Sequence, residues 1–274
     1  MRRATIVLVA IVLLFGGATV LFGQSGNLQD GFYFAQADSY SNGWKSVVMF
    51  TVRNGSISNV DWDAAPEHAG PSKDVVSQRG EYGMVERANA QARWHVQARR
   101  MERWLQQNQN PRQLNLDGEG RPDAVSGVSI HVDEFQELAM EAMNRGPVGR
   151  GDYEDGYYEA QAGSFSHGWK DVVELTVLGG RIVSAHWTAL PEEGNKDKYQ
   201  ASVDGDYGMV ANSDAQSRWY KQADQAADRL IRTQDPAAVS VSSDGSTDAI
   251  SGVSITVGSF YELAEEALEQ GPEA

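Results

Sequence analysis

The chain has 274 residues, of which 41% are hydrophobic and 9% aromatic, and a formal charge of −15. This composition supplies packed cores, excludes wholesale disorder and makes nucleic acid a poor partner, because phosphate neutralisation needs clusters of Lys and Arg. The absence of cysteine rules out disulfides, thiolate metal sites, iron–sulfur clusters, c-type haem and a lipidated N-terminal cysteine, so any redox chemistry would rest on an organic cofactor.

The chain begins Met1-Arg2-Arg3, and residues 4–23 carry no charge. A run of about 20 apolar residues is long enough to cross a bilayer. Residues 1–29 therefore read as a signal peptide, cut near Gly23-Gln24-Ser25, or as an uncleaved membrane anchor. The two arginines should stay in the cytoplasm and send the rest outward, to the periplasm or cell surface.

From Asp30 onward the sequence occurs twice. Asp30-Gly31 matches Asp155-Gly156, Trp44-Lys45 matches Trp169-Lys170, and Trp62 matches Trp187. Lys73 matches Lys198, Tyr82-Gly83-Met84 matches Tyr207-Gly208-Met209, and Trp94 matches Trp219, all at a constant offset of 125 residues. An offset of that size marks a duplicated domain rather than a solenoid. The boundaries are 30–145 for the first copy, 146–154 for a Gly- and Pro-containing linker, and 155–274 for the second.

Within each copy the order is the same. Residues 32–37 read as a strand; residues 47–52 and 57–62 read as a hairpin around Asn54-Gly55, with Gly179-Gly180 as its counterpart. A loop covers residues 64–80. Residues 88–109 and 214–234 read as long helices, and a final amphipathic helix carries Phe135, Leu138, Ala139 and Ala142, or Phe260, Leu263, Ala264 and Ala267. Strands first and helices later predict an α+β fold: two tandem copies of a small antiparallel sheet with helices packed on one face.

Ahead of each final helix stands Asp123-Ala-Val-Ser126-Gly127-Val-Ser129-Ile, repeated as Asp248-Ala-Ile-Ser251-Gly252-Val-Ser254-Ile. A Ser-Gly-x-Ser turn before a helix offers hydroxyls and N–H groups to a phosphate, and it is equally ordinary capping chemistry. The recurring tryptophans are core anchors or walls for a planar ring, and Trp44 and Trp169, in Gly-rich polar surroundings, favour the wall. The recurring lysines, Lys45/Lys170 and Lys73/Lys198, are phosphate contacts or solvated charges. No histidine recurs, which argues against a duplicated metal site or a Ser/His triad.

Taken together, Asp-Gly, Gly-Trp-Lys, Tyr-Gly-Met and Asp-Ala-Val/Ile-Ser-Gly-Val-Ser resemble the bacterial FMN-binding domain family. That family includes membrane-anchored, immunogen-like proteins and, more distantly, the flavin-carrying C subunit of the sodium-pumping quinone reductase. The resemblance implies FMN as cofactor, held covalently or non-covalently; in the covalent case a separate flavin transferase joins it by a phosphoester to Ser129 and Ser254. It makes Asp123 and Asp248 the motif acids, and it lets Gly127 and Gly252 admit the phosphate. Ser126 and Ser251 would complete the cofactor turn, and Trp44 and Trp169 would stack on the ring. Val128 and Val253 stand where the family has Ala, and Ser129 and Ser254 where it has Thr. The implied function is an exported, membrane-anchored electron carrier that works with redox partner proteins. The alternative is a flavin-free surface module that kept the fold.

Overall fold

The computed structural model describes residues 28–85, 90–213 and 215–273. The N-terminal apolar run lies outside these. Among the described residues no helix is long and apolar enough to cross a membrane.

The first repeat runs β1 (Gly31–Gln36), β2 (Trp44–Arg53), β3 (Ser56–Pro66), α1 (Lys73–Arg79), α2 (Trp94–Asn108) and α3 (Asp133–Arg145). The second runs β4 (Gly156–Gln161), β5 (Trp169–Leu178), β6 (Arg181–Pro191), α4 (Lys198–Asp204), α5 (Met209–Asn212), α6 (Trp219–Thr233) and α7 (Gly258–Gln270). Each repeat holds a three-stranded antiparallel meander, β1-β2-β3 and β4-β5-β6. The α+β architecture is as the residue pattern predicts.

The repeated Asp-Gly landmark has a local cause. Asn54 and Gly55 both take positive φ, 51° and 72°, as a two-residue hairpin turn requires. The Asp30 carboxylate accepts both of their N–H groups at 2.9 Å. Asp155 does the same for Gly180 at 2.7 Å.

Alternation then sorts each strand by face. On β2, Val48, Phe50 and Val52 join Trp62, Trp94, Met101, Leu105 and Phe135 in the core between the sheet and helices α2 and α3. The second repeat builds the same core from Val173, Leu175, Val177, Trp187, Trp219, Leu230 and Phe260.

The long helices begin at Trp94 and Trp219; of the longer spans that periodicity suggests, residues 90–93 and 215–218 are not helical, and 88–89 and 214 lie outside the described residues. Tertiary bonds override the helix-forming residues ahead of them: Gln97 Nε2 holds Ala92 O and Gln222 Nε2 holds Ser217 O, each at 2.9 Å. Inside the expected loop lies α1. Its signals are a Ser72 N-cap and a C-terminal Gly80 at φ 82°.

The opposite faces of the two sheets meet each other. Phe34, Val47, Met49 and Ala65 of the first repeat pack with Leu178 and Val183 of the second. The loop after β3 lies across β5 and β6: Gly70 N donates to Thr176 Oγ1 at 3.0 Å, and Thr176 Oγ1 donates back to Gly70 O at 2.8 Å. The segment between the repeats is also engaged, because Val148 N donates to Phe32 O and Gly151 N to Gly179 O.

Each repeat thus has its own core, and each half expressed alone is expected to melt cooperatively. The isolated first half uncovers Phe34, Val47 and Met49, so it should melt lower than the full chain and self-associate. A half with no cooperative transition would show that the two cores are interdependent.

Candidate functional site

The Ser-Gly turns are β-turns closed by Val128 N to Val125 O at 3.2 Å and Val253 N to Ile250 O at 3.4 Å. Gly127 and Gly252 sit at the third position with φ 76° and 82°, where a side chain is strained. A Cβ on Gly127 would also strike Arg100, whose guanidinium donates to Gly127 O.

Ser129 and Ser254 follow, both exposed. Their N–H groups are not free. Ser129 N donates to Gln97 Oε1 at 2.7 Å and Ser254 N to Gln222 Oε1 at 2.6 Å. Their hydroxyls reach the same oxygens at 3.3 Å. The helices begin only at Asp133 and Gly258, capped by Val132 and Val257. The expectation of free amides at a helix end beside these serines is therefore corrected, and α3 even opens with Asp133 and Glu134.

Gln97 and Gln222 are the residues that reading the sequence missed. Both are buried on the core-facing stripe of α2 and α6, one turn after Trp94 and Trp219. Each fixes a serine through Oε1 and the bend before its own helix through Nε2.

Val128 and Val253 pack against the cores. Their bulk is turned partly inward, away from the exposed serine. Asp123 and Asp248, Ser126 and Ser251 are exposed on the turn.

In each repeat a lysine stands among aromatic rings. Lys73 Nζ lies 5.0 Å from the ring centres of Tyr82 and Trp94 and 5.7 Å from Trp44. Lys198 Nζ lies 4.7 Å from Trp219, 5.1 Å from Tyr207 and 6.0 Å from Trp169. These distances suit cation–π attraction. Trp44 and Tyr82 meet edge to face at 5.9 Å, as do Trp169 and Tyr207. Burial lowers Lys73 to about 8, against the pull of Glu134 and Asp63. Burial also lowers Lys198, against Asp171.

The nearby carboxylate has changed position between repeats. In the first, Glu134 on α3 accepts from Ser46 on β2. In the second, Asp171 stands on β5 and Ser259 on α7, and both line the cavity beside Lys198. Acid and hydroxyl have exchanged places while the set of groups around the lysine is kept. A half-buried ammonium needs such a partner.

That cavity, about 270 Å³, is also bordered by Trp187, Tyr207, Trp219, Ile255 and Thr256, the last two following Ser254 directly. A cleft of about 710 Å³ lined by Gly168, Trp169 and Lys196 shares Tyr207 as a wall. The buried indole Nε1 of Trp187, and that of Trp62 in the other repeat, finds no acceptor among the described residues. Lys45, by contrast, is taken up between the repeats, donating to Val183 O at 3.3 Å. Among the described residues no group of three or more His, Asp or Glu side chains is placed to hold a metal ion.

No protein-family model matches the chain, and no curated protein matches it. Among solved structures, the chain is similar to a Clostridium thermocellum protein determined by solution NMR, with 42% identity, 43% of this chain and 92% of that one covered, and a TM-score of 0.35. It is also similar to a Clostridium perfringens protein determined by crystallography, with 23% identity, 44% and 89% covered, and a TM-score of 0.35.

Proposed function

We propose that the chain is an exported FMN-binding electron-transfer protein, with flavin joined by phosphoester to Ser129 and Ser254. The observation that carries this reading is the set of groups that each repeat holds: an exposed serine, a caged lysine, an aromatic wall and an unpartnered indole N–H. Two copies of that set, kept through the acid–hydroxyl exchange, support a ligand requirement beyond packing.

The residues fit a covalent flavin better than a free one. Gln97 and Gln222 already occupy the serine amides, so the turn lacks the N–H cradle that retains a free phosphate. A phosphoester needs only a reachable hydroxyl, and both are exposed. Trp169 and Tyr207, with Trp44 and Tyr82 in the first repeat, would hold the ring. The flavin when bound supplies the redox chemistry; the chain positions it and sets its electrostatics. Lys73 and Lys198 would offer a positive charge to a reduced flavin held by those rings.

Mass spectrometry after treatment with a flavin transferase and flavin donor tests this. Two FMN adducts are expected. Ser129→Ala and Ser254→Ala should each remove one, and Ser126→Ala and Ser251→Ala neither. A chain that takes no adduct, also with Val128→Ala and Val253→Ala, and that binds no flavin would leave the flavin-free surface module as the reading. The amides already bonded at Ser129 and Ser254 are the observation that favours this second reading.

A further inference from the structure

Neither His68 nor His186 recurs: their counterparts are Glu193 and Asp61. They meet because the repeats pack unequally. His68 lies in the loop after β3, and His186 on the β6 face that this loop crosses. Their Nδ1 atoms face each other at 3.3 Å, and the ring centres are 4.6 Å apart.

That separation is at the long edge for a hydrogen bond, whose usual N–H span is about 2.9–3.0 Å. It matches two imidazoles on one tetrahedral ion. Zinc–nitrogen bonds of about 2.0–2.1 Å at a tetrahedral angle put the two nitrogens about 3.3–3.4 Å apart.

The backbone on both sides is pinned. Ala69 N donates to Ser184 Oγ at 3.3 Å, and Gly70 and Thr176 exchange two bonds. The surroundings are acidic. Burial first, and then His68, lower His186, against the pull of Asp197 on the approach to α4. His68 interacts with Asp224 on α6, which also senses Glu67 and Asp228. Tyr199 on α4 sets its ring edge-on to both histidines, and its hydroxyl donates to Asp224 at 3.0 Å. Lys45 on β2, the nearby cation, is held by Val183 O and the Tyr40 ring.

We propose that His68 and His186 form a two-imidazole site for a divalent transition ion, zinc in the first instance, which clips the first repeat to the second. His68 is exposed, so water completes the coordination from the open side. Two nitrogen ligands with open positions suit zinc, copper or nickel rather than calcium or magnesium. The site exists only where the copies differ, which is why the lack of a recurring histidine does not exclude it.

Calorimetric titration of the full chain with zinc chloride at pH 7.5 tests this, alongside thermal unfolding. One ion per chain and a raised Tm are expected. His68→Ala and His186→Ala should each weaken binding by at least about tenfold, while His131→Ala, away from the pair, should not. Zinc binding that is unchanged in the double variant, or absent in the native chain, overturns the proposal. His68→Ala decides the matter if His186→Ala does not fold, since His68 is exposed.

Discussion

Gln222→Leu should destabilise the second repeat by about 3 kcal/mol, lowering its Tm by roughly 10–20 °C. Leucine fills nearly the same volume, so packing is held close to constant. What disappears is a three-way bond. Gln222 Oε1 accepts from Ser254 N at 2.6 Å and Ile255 N at 3.2 Å, and Nε2 donates to Ser217 O at 2.9 Å. The amide itself is fully buried. Leucine leaves the half-buried Ser217 O and Ile255 N short of a partner, while exposed Ser254 can turn in part to water; a polar group left unpaired is what makes such deletions expensive. Gln97→Leu should act likewise on the first repeat, through Ser129 N and Ala92 O. Hydrogen exchange supplies the local check: the amides of Ser254 and Ile255 should lose protection in Gln222→Leu before the α6 core does. Unchanged protection there, with an unchanged Tm, would show that the glutamine is dispensable and that the serine loop is held by its turn alone.

These glutamines mark the limit of what the sequence discloses. The offset of 125 residues exposes the duplication, because the landmarks on it are Trp, Gly and Asp residues with strict backbone or packing demands. The meander follows from alternation plus a two-residue turn. Gln97 and Gln222 also obey the offset, and they fall on the apolar stripe with Trp94, Ala98 and Met101. A polar residue recurring on a buried face was a readable signal. The exchange of Ser46 and Glu134 for Asp171 and Ser259 was not readable, since neither position recurs on its own. The packing of the sheets was hidden for a related reason. Phe34 and Met49 face the second repeat, while their counterparts are Glu159 and Glu174. An interface between unequal surfaces leaves no repeat for comparison to find. Helix α1 was hidden by its brevity, although Ser72 and Gly80 announce its two ends.

Acidification from pH 8 to about 5.5 should raise the Tm rather than lower it. Burial pushes Asp63 up to about 7 and Glu102 up to about 7. Asp224 and Glu174 are displaced upward by the same cause. A carboxyl with a raised folded pKa binds protons more tightly in the folded state. Its contribution is fully present below the unfolded value near 4 and is lost as pH rises through the folded value. Each tenfold gain in proton affinity on folding is worth about 1.4 kcal/mol. His186 opposes this: burial first, and then His68, lower it to about 4, so its contribution falls away as pH drops from about 6.5 toward 4. Lys73, lowered to about 8, is charged in both states through most of the window. The carboxyls outnumber the imidazole, so the net slope favours mild acid. Asp63→Asn isolates the largest part. Asp63 Oδ1 accepts from Ala64 N at 2.7 Å and Asp74 N at 2.8 Å, and an amide oxygen can still accept both. Asp63→Asn should therefore melt higher than the native chain at pH 8 and show a shallower pH dependence. Glu102→Gln, which keeps the acceptor for Trp62 N, should do the same to a smaller degree. A Tm that climbs steadily from pH 5.5 to 8 in all three proteins would mean that these carboxyls reach water and ionise at ordinary values.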